Sequence, residues 1–71
     1  MATTEDLIAD RLGQWFGSGR QDEEMLEQAR TLFLLAETLD HAYLDQRIRQ
    51  DCIGRFALKD FLARVRERDH P

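Results

Sequence analysis

The sequence predicts an all-α fold: a helical hairpin or three-helix chain with one long central helix, assembled as an intertwined or antiparallel helical dimer. Strand signals are nearly absent, with a single valine, few threonines and no alternating apolar–polar run, while helix-favouring residues dominate. Between Asp22 and Gly54 there is neither glycine nor proline, so nothing local breaks a helix there. Apolar residues recur at helical spacing through most of the chain.

The first helix is expected over about residues 4–16. Thr3 or Thr4 caps it, and Thr3 with Asp6 approximates a capping box. Glu5 and Asp6 place negative charge at the positive end of the helix dipole. Ile8, Leu12, Trp15 and Phe16 share one face, and Gly17-Ser18-Gly19 ends the element. Gly13 lies inside it and weakens it.

The second helix is expected over about 22–53, opening on Asp22-Glu23-Glu24 and running roughly 48 Å at 1.5 Å per residue. Around Leu32-Phe33-Leu34-Leu35-Ala36 it is apolar on nearly every side, a turn that needs cover from more than one direction. Leu44, Ile48 and Cys52 form a further apolar row. The alternative is a break near Leu39-Asp40, with Asp40 capping a fresh helix. The third helix is expected over about 57–68, with Leu58, Phe61, Leu62 and Val65 on one face and Arg64, Arg66 and Arg68 near its negative end. Asp45–Arg49, Asp51–Arg55 and Asp60–Arg64 are acid-first pairs four apart, each supporting helix by a few tenths of a kcal/mol.

Length argues for the dimer. A monomeric globule of this size has a radius of gyration of about 11 Å, and two short helices do not cover a rod four times that long. Small domains compensate for a small core with disulfides, metals or association. Cys52 is the only cysteine, which excludes an intrachain disulfide. One cysteine with His41 and His70 is too few ligands for a structural zinc. Leu32, Phe33, Leu35, Ala36 and Leu39 are therefore assigned to the dimer seam and core. Charge fits the same picture: residues 1–45 hold three cations against ten acids, and residues 46–71 hold seven against four. An acidic front facing a basic tail attracts across a dimer.

No catalytic constellation is visible, and no metal or other cofactor is expected. Glu37, His41 and Asp45 are spaced to line one helix face, but the bundle metal pattern of Glu-x-x-His is missing, and a solvated stripe is the better reading. Arg49 and Arg55 near Cys52 favour a reactive thiolate, yet its place in the Leu44/Ile48/Cys52 row makes it a buried structural residue. The start of the chain is acidic where a secretory leader is basic, and no apolar run approaches the ~20 residues of a membrane span. The expected location is the cytoplasm. Nine of the ten cations are arginine, which fits a GC-rich bacterial or phage genome.

The expected function is that of a small non-enzymatic protein-binding regulator: an inhibitor, anti-activator or adaptor of a larger bacterial protein, phage-encoded in one version, acting as a homodimer. The architecture resembles small helical-hairpin regulators of bacteria and phages, and the co-chaperones of secretion systems, with no motif tying it to either. Asp40, His41, Tyr43 and Arg47, in the middle of the long helix, combine an aromatic, an arginine and a carboxylate outside the core stripes, and form the expected partner-binding patch. One alternative is a DNA-binding regulator in which Leu39-Asp40-His41 is a turn and the following helix presents Gln46, Arg47, Arg49 and Gln50 to bases. Against it stands a formal charge of −4. The other alternative is a co-chaperone or small subunit whose apolar turn is covered by a different chain.

Overall fold

The computed structural model describes residues 3–69, with side chains through Arg66. The Met1–Ala2 start, the Arg68 side chain and His70 lie outside that description. The described residues form helices α1 (Thr4–Gly17), α2 (Glu23–Leu35), α3 (His41–Asp51) and α4 (Leu58–Asp69), with no strand. The all-α expectation holds. α1 is the centre of the packing: α2 folds back along it, α3 lies on its other flank, and α4 docks on α3.

α1 forms as its sequence predicts. The Asp6 backbone N–H donates to Thr3 Oγ1 at 3.1 Å and the Thr3 N–H donates to Asp6 Oδ2 at 3.2 Å, completing the capping box. At its C-terminus the Arg20 N–H reaches Trp15 O and the Gly19 N–H reaches Phe16 O, the paired bonds of a Schellman ending. Ile8, Leu12 and Trp15 are fully buried or nearly so.

The long helix expected over 22–53 does not exist. α2 ends at Leu35, Ala36 turns extended, and α3 begins behind Asp40, whose carboxylate accepts from the Tyr43 N–H at 3.0 Å. No local breaker imposes this. The cause is tertiary. The inward stripe of α2 (Leu26, Ala29, Phe33) and that of α3 (Leu44, Ile48, Cys52) would lie roughly 70° apart around one straight helix, and a rod of roughly 48 Å would overrun α1, whose 14 residues span about 21 Å. Breaking at 36–40 lets each stripe meet α1 separately, and Glu5 of α1 stabilises the break by accepting the Asp40 N–H at 2.8 Å.

The break removes the geometric ground for the dimer. The folded chain measures 34 × 28 × 19 Å with a radius of gyration of 11.1 Å, the size expected of a single globule of this length. Of the residues assigned to the seam, Leu32, Phe33 and Leu39 are half-buried against this chain's own core. Ala36 is half-buried in the α2–α3 loop. Leu35, at the last position of α2, is 76 % exposed, with Leu34 at 49 %, so no part of this chain's own core covers them.

The core joins the α1 face, Ala29, the α3 row and Leu58, Phe61 and Val65 of α4, with Phe56 from the α3–α4 loop. Cys52 is buried within it, and burial, then Asp51, pushes its thiol up to about 11. Gly13 has a packing reason: a Cβ there would stand 3.0 Å from Asp51 Cβ, so α1 and α3 approach closely only because the side chain is missing.

Candidate partner-binding surface

The expected patch is brought together, but much of its chemistry is already engaged in holding α3 to α1. Asp40 caps α3. The Tyr43 hydroxyl donates to Asp6 Oδ1 at 2.6 Å. Arg47 lies 3.7 Å from Asp6 Oδ1 and 3.6 Å from Asp51 Oδ2. The His41 ring sits 6.2 Å from the Phe33 ring. Glu37 falls in the loop ahead of α3, so the Glu37/His41/Asp45 row is not on one helix.

These contacts set the acid response. The Asp40 N–H holds Glu5 below its usual 4.5, and the Tyr43 hydroxyl, then the Thr3 N–H, hold Asp6 below 3.8. Asp45 is also held below 3.8, first by the Leu58 N–H and then by Arg49. Depressed carboxylates contribute stability that is complete above their unfolded values and is lost as pH falls through the folded ones. Thermal stability is therefore expected to fall progressively below about pH 5. Tyr43→Phe should melt below wild type at pH 7, and that gap should narrow as falling pH protonates Asp6, whose carboxyl is held below 3.8. A gap of constant size across the range would show that the Tyr43–Asp6 bond is not its source.

A second surface, at the other end of α3, was not legible beforehand. There the α1–α2 loop and the α3–α4 loop meet over Trp15, Phe16 and Phe56. The Trp15 and Phe56 rings stand edge to face at 5.2 Å. The Arg20 guanidinium lies 5.7, 5.3 and 6.0 Å from the centroids of Trp15, Phe16 and Phe56, and that of Arg64 lies 4.9 Å from Trp15. Arg20, Arg55 and Arg64 line one cavity with Phe56, Asp60 and Ala63. Among the described residues none of the three arginines has an ion pair. Of the expected acid-first pairs only Asp45–Arg49 forms, at 2.9 Å. α3 ends at Asp51, ahead of Arg55, and Asp60 accepts the Ala57 N–H at the start of α4.

Unfavourable features collect at this end. Arg20 (φ 65°) and Ile53 (φ 57°) are the non-glycine residues with left-handed backbone, a conformation that costs about 1–2 kcal/mol and is an outlier for a β-branched side chain. Ile53 occupies the position after the α3 cap where glycine is usual, and Gly54 follows it at φ 71°. The Ile53 side chain is 79 % exposed, so burial does not offset its strain. The Trp15 indole N–H is buried with no hydrogen-bond partner. Left-handed backbone at Arg20 and Ile53 and three arginines without ion pairs among the described residues thus occur at the same end of the fold, in and beside the two loops. Phe56 was the signal available in the sequence: an aromatic between Gly54 and the expected helix needs cover, and only the loop end could provide it.

Comparison with protein-family models, with curated proteins and with solved structures returned no match to this chain. No described helix is long and apolar enough to cross a membrane.

Proposed function

We propose that this chain is a small, cytoplasmic, non-enzymatic protein-binding regulator that holds a larger protein through the loop end formed by Arg20, Ile53, Arg55 and Arg64. The observation that carries this reading is Ile53: a β-branched residue at φ 57° whose side chain is 79 % exposed. Its conformation costs free energy and its side chain touches little of its own fold, so its use lies outside the chain.

Ile53→Gly separates the two roles. Glycine takes φ > 0 freely, so the variant should gain about 1 kcal/mol and melt roughly 4–8 °C higher. Capture of the partner from a lysate of the source cells, read by mass spectrometry, should fall at least ~10-fold, the scale of an interface anchor. A more stable variant that captures the same protein equally well would end this reading.

A homodimer is the second reading, and it rests on Leu34 and Leu35 at the open end of α2. It predicts a sedimentation mass twice 8.4 kDa at micromolar concentration, halved in Leu35→Asp. The DNA-binding reading gains a turn and a separate helix from the break at 36–40. Its helix, however, has Arg47 and Arg49 turned onto Asp6, Asp51 and Asp45.

A further inference from the structure

The loop-end cavity does not stop at its arginines. Arg64 also lines a second cavity of about 230 Å³ between α2 and α4, walled by Leu26, Phe61 and Val65 with Glu23, Glu27 and Arg30 at its rim. The two cavities share Arg64, so a basic cavity adjoins a partly apolar cleft along α4. We propose that these adjoining cavities bind a peptide segment of the partner in which carboxylate side chains precede an apolar residue, the carboxylates on Arg20, Arg55 and Arg64 and the apolar side chain in the cleft beside Leu26 and Val65. This assignment rests on the loop end being the partner surface.

Charge selects the occupant. The basic cavity holds three arginines against Asp60, and Asp60 already accepts the Ala57 N–H at 3.0 Å. A guanidinium packed on an aromatic face keeps its in-plane N–H donors free, and their fork matches a carboxylate. Arg20 and Arg64 are held that way over Trp15, so little side-chain freedom is lost on binding. The adjoining cleft is partly apolar and carries two acids against two arginines. With no net positive charge it offers a continuing polyanion no attraction, and it accepts an aliphatic or aromatic side chain. A nucleic-acid backbone has nothing to place there.

The test is fluorescence anisotropy with a short fluorescein-labelled peptide in which an Asp-Glu-Asp run precedes a Leu-Phe pair, beside its Asn-Gln-Asn counterpart. The acidic peptide should bind at micromolar concentration, and roughly 10-fold more weakly at high salt. Its counterpart and a version ending in Ser-Ser should each bind at least ~10-fold more weakly. Arg64→Ala should lose the acidic peptide, and so should Arg55→Gln, whose side chain is exposed and leaves the fold intact. Equal binding of the acidic and amide peptides would overturn the proposal while leaving the loop end a partner surface. Partner capture left unchanged in Ile53→Gly would instead remove the reading beneath it. Displacement by duplex DNA below the concentration at which unlabelled peptide competes would overturn it in favour of nucleic acid. Self-association dissolved by the peptide would overturn it in favour of a second copy of this chain.

Discussion

Phe61→Ala is expected to cost the chain about 3–5 kcal/mol of stability, while Leu35→Ala leaves it within about 0.5 kcal/mol of wild type. Phe61 is fully buried and meets Phe33 edge to face at 5.4 Å. It links α4 to α2, whereas the rest of α4 packs mainly on α3. Truncating a buried phenylalanine costs about 3–5 kcal/mol. A domain of 71 residues has a total stability of only about 4–10 kcal/mol, so one truncation removes a large part of it. Leu35 is as apolar in sequence and lies in the most apolar run of the chain, but at 76 % exposure it has little burial to lose. Urea unfolding followed by Trp15 fluorescence reads both variants. A Leu35→Ala midpoint as low as that of Phe61→Ala would mean that the 32–36 turn is covered, and that a second chain covers it.

That contrast marks what the sequence makes legible. α1 could be read to within about a residue because its determinants are local: Thr3 and Asp6 complete a capping box, and Gly19 supplies the left-handed ending. The faces of α1 and α4 follow from spacing alone, and Cys52 is buried as its row requires. The break after Leu35 was legible only as an option, since Asp40 caps equally well in a sequence that continues as helix. What decides is the mismatch between two inward stripes and the Glu5 acceptor more than thirty residues away, and neither is a local property.

The residues of the expected binding patch are engaged within the chain for a related reason. Tyr43 and Arg47 were set aside as surplus to the core stripes, but a polar residue beside a stripe can be claimed by the neighbouring helix, as Asp6 claims both. The loop end was hidden because its meaning is conformational. In Cys52-Ile53-Gly54-Arg55 the glycine is the natural left-handed residue, and the chain uses Ile53 one step earlier as well as Gly54. Arginines at 20 and 64 converge on Trp15 only after α2 and α4 are in place.

Cys52 reports directly on how firmly that strained loop is held. Its sulfur lies 3.9 Å from the Leu12 carbonyl oxygen with no exposed surface, and burial raises its thiol from 9.0 to about 11. A raised thiol contributes stability that is present below pH 9.0 and lost as pH climbs through the folded value of about 11. At pH 8 the native thiolate is scarce and shielded, so Ellman's reagent should react only when the chain opens. Opening against 4 kcal/mol or more should slow modification by about a thousandfold relative to the unfolded chain. If opening is global, the logarithm of the rate should rise linearly with urea, with the slope of equilibrium unfolding. A rate independent of urea would mean that the C-terminal turn of α3 opens alone, and that the strain at Ile53 is relieved by fraying. Ile53→Gly should slow the reaction in either case. Relief of about 1 kcal/mol should slow a globally gated reaction roughly fivefold, because Cys52 becomes accessible only with the whole core. It should suppress a locally gated one by lowering the free energy of the closed turn while the unfolding midpoint reports the same gain. A thiol that reacts at the unfolded rate in native buffer would place Cys52 outside the core and overturn the packing of α3 on α1.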